Sequence, residues 1–149
     1  MEMKHMKKAK RFSFPKYTFL FGSMVLASFL LALAACFFLP DTIVVQWNGV
    51  SAVSRGSRFY IFILPCINLV WLCLYPVVRS ISERYLLRDC FAPYITFALL
   101  VLVFSGEVYT ILYAVLPHMP VGISTVIIVE SIILIVCYLF FGFRQKRKK

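Results

Sequence analysis

Four long apolar runs follow one another along the chain, separated by short polar segments. They cover residues 17–39, 59–78, 93–116 and 121–143. A helix rises about 1.5 Å per residue, so each run is long enough to cross a bilayer core of about 30 Å. The pattern predicts an all-α membrane protein with four transmembrane helices.

The polar segments predict how these helices are connected. Residues 40–58 form a first loop, and residues 79–92 form a polar link. Residues 117–120 form a turn so short that the last two helices must be antiparallel neighbours, which makes residues 93–143 a helical hairpin.

Lysine and arginine are distributed unevenly among the segments. Six lie in the tail at residues 1–16, three in the link and five in the tail at residues 144–149, whereas the first loop has two and the 117–120 turn has none. The positive-inside rule then places both tails and the link in the cytoplasm and the first loop outside. The formal charge of +10 therefore indicates anionic lipid head groups as partners, and not nucleic acid.

The end of the first run, LAAC at Cys36, is similar to the acylation signal of bacterial lipoproteins. The residues after Cys36 are apolar, however, and the run is longer than the apolar region of a cleaved signal. We therefore expect a retained helix. Ser28, Ala32 and Cys36 would form a small-residue face for close helix packing.

Two carboxylates lie inside the predicted helices. Glu107 lies ten residues before Pro117 and Glu130 ten residues after Pro120, so both should be ~15 Å from the outer turn. A charged acid at that depth costs on the order of 2.5–3.5 kcal/mol, and we expect at least one of the two to be a neutral carboxylic acid.

Two polar neighbours of these acids complete a candidate intramembrane site. Thr110 lies on the face of Glu107 and could donate a hydrogen bond to it, and Asn68 in the second helix falls at a comparable depth. A site linked to protons or cations and a simple interhelical hydrogen-bond clip are both compatible with this pattern.

The first loop begins with the sequence LPDTIVVQWNG at residues 39–49. Pro40 should end the first helix, and the β-branched residues that follow should run extended along the membrane interface. Trp47 suits the head-group layer, and Asn48-Gly49 is a turn dipeptide. These features predict a structured outer loop that covers the ends of the helices.

The chain shows no catalytic or metal-binding motif. HExxH, CxxC, GxSxG and phosphate-binding glycine loops are missing from the sequence, and His118 is expected to be a wetted turn residue. We expect no enzyme activity, no cofactor and no bound metal. The five cysteines lie in or beside apolar runs and imply no disulfide framework.

The loop and its flanks resemble the N-terminal membrane domain of SdpI-like toxin-immunity proteins. The matching positions, in order, are Leu39-Pro40, Ile43, Trp47-Asn48, Ser57-Arg58 and Pro65. The resemblance covers about two fifths of the chain and makes residues 17–78 a two-helix domain with its outer loop at 40–58.

The resemblance implies a bacterial plasma-membrane protein that gives immunity to, or senses, an extracellular antimicrobial peptide. The outer recognition surface would then comprise Gln46, Trp47, Asn48 and Arg58. Val44 and Gln46 stand where the family has proline and histidine, and Ser54 stands near its later acidic position. Residues 39–49 are therefore expected to recognise a ligand or to cap the helix ends, and not to bind a metal.

Two other functions stay open from the sequence. One is a small proton-coupled transporter that uses Glu107 and Glu130. The other is a structural subunit of a larger complex, whose partner would be another membrane protein.

Overall fold

The structure, a computed structural model, describes residues 17–48, 51–85, 91–116 and 122–146. Four α-helices account for most of these residues, and a β-hairpin lies between the first two helices. In chain order the elements are α1 (Tyr17–Ala35), β1 (Thr42–Asn48), β2 (Ser51–Ser57), a 3-10 helix (Arg58–Phe62), α2 (Ile63–Arg84), α3 (Phe91–Val115) and α4 (Ile123–Lys146).

The apolar helices agree with the predicted class of a helical membrane protein. By length and composition, three helical segments could cross a membrane: Tyr17–Ala35, Arg58–Arg84 and Phe91–Val115. The fourth helix is apolar over Ile123–Leu139. The basic tail at 1–16, the turn at 117–120 with His118, and Cys90 lie outside the described residues.

The first helix ends earlier than its apolar run. Regular α-helix stops at Ala35, and the next residues form tight turns in which the Leu39 amide donates to the Ala35 carbonyl at 2.8 Å. The residue before a proline avoids helical backbone angles. Pro40 therefore loosens the last turn before the chain leaves the helix.

The predicted structured loop is a β-hairpin. β1 pairs antiparallel with β2, in a register that places Thr42 opposite Ser57 and Trp47 opposite Ala52. The register is irregular on both sides of Gln46, as in a β-bulge. Ile43 and Val44 are both buried, so this strand fixes the hairpin onto the helices.

The second helix extends past the predicted membrane run into the polar link. It continues to Arg84, and Arg79 Nε donates to Glu83 Oε1 at 2.9 Å, one helical turn away. This part of the link is helical because it contains no proline or glycine, and because Arg79 and Glu83 pair at the favourable spacing of four.

Two apolar clusters hold α1, α2 and α3 together. The lower cluster has as its buried members Phe21, Val25, Tyr75, Ala92 and Leu100. The upper cluster, which includes the hairpin, has as its buried members Ala32, Ala35, Leu39, Ile43 and Ile61. On α1 the buried positions recur every three or four residues, and Ser28 falls between the two clusters.

Candidate functional site

A buried polar cluster lies between the two apolar clusters, where α1, α2 and α3 meet. It consists of Ser28, Asn68 and Glu107, which are 0%, 1% and 0% exposed, respectively. We call these three residues the buried polar cluster. Asn68 and Glu107 were predicted at comparable depth, and the structure brings them together on opposite sides of Ser28.

The hydrogen bonds of this cluster run in one direction. Asn68 Nδ2 donates to Ser28 Oγ at 3.4 Å, and Ser28 Oγ donates to Glu107 Oε2. Glu107 is therefore the acceptor at the end of a chain that starts on α2 and passes through α1. The role of Ser28 as its partner was missed from the sequence, which indicated only a small-residue face.

Thr110 does not use its hydroxyl hydrogen on Glu107 as predicted. Its Oγ1 donates to the carbonyl of Gly106 at 2.8 Å, which is the residue one turn back on the same helix. Threonine commonly makes this local bond because its hydroxyl competes for nearby backbone groups.

The second intramembrane acid has a different environment. Glu130 on α4 is half-buried, and its Oε1 accepts from Ser105 Oγ on α3 at 2.6 Å. Glu107 Oε2 accepts from Ser28 on α1 instead, and Ser28 in turn accepts from Asn68 on α2. The two carboxylates thus take different hydrogen-bond partners on different helices.

The predicted outer recognition residues fall into two groups. Gln46 and Asn48 are exposed, and Gln46 Oε1 accepts from Ser54 Oγ at 3.4 Å. Arg58 lies at the base of the hairpin, where its Nη1 is 3.7 Å from Asp41 Oδ1 and its guanidinium lies over the Phe59 ring.

Trp47 is directed toward the helices instead. Its ring meets those of Tyr109 and Tyr113 edge-to-face, with centroid distances of 5.3 and 4.7 Å. The two tyrosines stack on each other at 6.2 Å. The spacing of four between them on α3 was the available sequence signal, since residues four apart share a helix face. This aromatic trio joins the hairpin to α3.

An apolar cleft of about 300 Å³ lies under the hairpin. β1 contributes Ile43, Val44 and Trp47 to its lining, and the start of α2 contributes Leu64. The 3-10 helix, α3 and α4 form the remaining wall, and Gly106 on α3 is part of it. A Cβ at Gly106 would meet no heavy atom within 4 Å, so this glycine leaves part of the cleft open.

Together these features indicate a multi-pass membrane protein with a hairpin-covered cleft and a separate buried polar cluster. Comparisons with protein families, with curated proteins and with solved structures found no match. Membership of the SdpI-like family, suggested by the sequence of residues 39–65, therefore stays a prediction.

Proposed function

We propose that this chain is a bacterial plasma-membrane protein that binds an extracellular antimicrobial peptide and gives immunity to it or senses it. In this proposal all four helices span the membrane, both termini are cytoplasmic and the hairpin lies outside. The basic tails contact anionic head groups on the inner side.

The observation that carries this proposal is the apolar cleft under the hairpin. Its volume of about 300 Å³ is at the lower end of the range of ligand sites. It therefore suits a few apolar side chains of a peptide better than a large ligand. Exposed Gln46 and Asn48 next to the hairpin turn would add polar contacts outside the cleft.

A pair of glycine substitutions tests this use of the cleft. Gly106→Leu places a side chain in the cleft, whereas Gly22→Leu makes the same change on α1 at a position where a Cβ also meets nothing within 4 Å. Both variants replace glycine by a better helix former, so their intrinsic effects on helix stability should be similar.

The assay is the survival of bacteria that express each variant at equal levels, challenged with a panel of envelope-active peptides. We expect the wild-type chain and Gly22→Leu to protect against at least one peptide, and Gly106→Leu to lose that protection. Equal protection by Gly106→Leu would exclude the cleft as the binding site. No protection by the wild-type chain would count against the immunity role.

A second candidate function is proton-coupled transport, which the complete burial of Glu107 favours. Intramembrane carboxylates commonly mark proton or ion pathways. In proteoliposomes, substrate flux that follows a pH gradient and is abolished by Glu107→Gln or Glu130→Gln would support transport. Peptide binding without any such flux would support the immunity proposal.

A further inference from the structure

The buried polar cluster has acceptor oxygens that lack donors. Among the described residues, Glu107 Oε1 and Asn68 Oδ1 have no hydrogen-bond partner although both residues are fully buried. A buried acceptor without a donor is costly, and a buried charge without compensation costs more. Either a proton on the Glu107 carboxylate or a bound cation is therefore expected at this cluster.

No basic side chain supplies this charge within the described part of the helices around Glu107. α1 contains no Asp, Glu, Lys, Arg or His. On α2 the charged residues are Arg79, Glu83 and Arg84, of which even the first is ~16 Å along the helix from Asn68. On α4 the intramembrane acid is Glu130, whose Oε1 accepts from Ser105 and whose Oε2 has no partner among the described residues. It is an acid, and so it supplies no positive charge.

The available groups match the chemistry of a small monovalent cation. A carboxylate, an amide oxygen and a hydroxyl are hard oxygen ligands, and one carboxylate balances one positive charge. Rotation of the Asn68 amide by half a turn exchanges its nitrogen and oxygen, so Oδ1 can face Ser28 and Glu107. A proton on Glu107 would neutralise the same charge.

We propose that Ser28, Asn68 and Glu107 form a binding site for one small monovalent cation, at which Na⁺ and H⁺ compete. This site is separate from the cleft under the hairpin. It therefore does not depend on the peptide-binding proposal and can be tested on the purified chain without any peptide.

Thermal unfolding of the purified full-length protein tests the proposal. Tm is measured in NaCl, KCl and choline chloride at equal ionic strength, at mildly alkaline and mildly acidic pH. At a Na⁺ concentration about ten times the dissociation constant, we expect Tm at alkaline pH to rise by roughly 3–6 °C relative to choline. At acidic pH a proton occupies Glu107, so the Na⁺ effect should disappear.

Two matched variants assign the effect to the cluster. Glu107→Gln removes the negative charge with little change of shape and should abolish the Na⁺ response and its pH dependence. Glu130→Gln makes the same change on α4 and should retain both. The reverse result, with the response lost in Glu130→Gln and retained in Glu107→Gln, would overturn the assignment.

A second measurement covers the case in which Glu107→Gln does not fold. The infrared difference spectrum of the wild-type protein between NaCl and choline chloride, at the pH where the Na⁺ effect on Tm is half lost, should show loss of a protonated carboxyl band and gain of a carboxylate band. Absence of both this change and the Tm shift in the wild-type protein would refute the cation site.

Discussion

Removal of the Trp47 ring should release the hairpin from α3. In Trp47→Ala both edge-to-face contacts, with Tyr109 and Tyr113, are lost. Aromatic pairs of this kind contribute about 0.5–1.5 kcal/mol each beyond the area that they bury. The closed hairpin should therefore lose about 1–3 kcal/mol relative to an opened one.

Trypsin cleavage at Arg55 reports this opening. Arg55 is exposed but lies in β2, where a paired strand resists entry into a protease active site. When opening and closing are faster than cleavage, the cleavage rate follows the population of the open form. A loss of about 1–3 kcal/mol should increase the rate at Arg55 by about 5- to 150-fold.

Val53→Ala is the matched control for this experiment. Val53 is on the same hairpin and is 56% exposed, so truncation of its side chain should change the cleavage rate little. A Trp47→Ala protein that is cleaved at Arg55 as slowly as the wild type would refute the reasoning, because the aromatic trio would then not hold the hairpin.

Three further substitutions test other contacts of the fold. Ser28→Ala removes the donor to Glu107 Oε2 and should cost about 1–3 kcal/mol, measured as a fall in Tm. Gly56→Ala places a Cβ 2.9 Å from the Tyr60 ring; it should cost about 1–3 kcal/mol, measured as faster trypsin cleavage of the hairpin. Tyr94→Phe removes a hydrogen bond to an α4 carbonyl and should lower the stability of the helix pair by about 0.6 kcal/mol, and by at most about 2, again seen in Tm.

Each of these substitutions has a clear contrary result. A Ser28→Ala protein as stable as the wild type would show that Glu107 does not need its donor. Unchanged cleavage of Gly56→Ala would mean that the Tyr60 ring moves aside freely. A large loss of stability in Tyr94→Phe would mean that α4 depends on this hydrogen bond more than its packing on α3 suggests.

The helices were predictable because each has a single dominant signal. Long and nearly uninterrupted apolar runs fix where membrane helices can lie, and the structure has a helix in each of the four runs. Their ends were less predictable. Pro40 lies five residues beyond Ala35, the last residue of α1, and α2 continues to Arg84, inside the segment predicted as a polar link. Local turn geometry and charge pairing decide these boundaries, and hydropathy contains neither.

The level of the buried polar cluster along the helices was predictable, but the hydrogen-bond partners of its residues were not. Counting residues from the helix ends placed Asn68 and Glu107 at similar depth, and the structure joins them. Helix rotation selects the partners, however, and a sequence of almost uniformly apolar helices contains little rotational information. For that reason Ser28 was not recognised as the donor to Glu107.

For the hairpin, too, the sequence predicted the local conformation but not the tertiary contacts. The β-branched residues of the first loop correctly indicated an extended chain, which pairs antiparallel with β2. Trp47 was expected at the head groups because aromatic residues are common there. Its packing against Tyr109 and Tyr113 is a tertiary contact between distant parts of the chain, which composition alone does not reveal.

In the proposed function the hairpin-covered cleft faces the outside of the cell. The most direct test of this claim is labelling of single cysteines, Val53→Cys on the hairpin and Lys149→Cys at the C-terminal tail, in a chain whose five native cysteines are replaced. With a membrane-impermeant maleimide on intact cells, we predict labelling at position 53 and, at position 149, labelling only after the membrane is permeabilised. Labelling of position 149 but not of position 53 on intact cells would contradict the account, because no extracellular peptide could then reach the cleft.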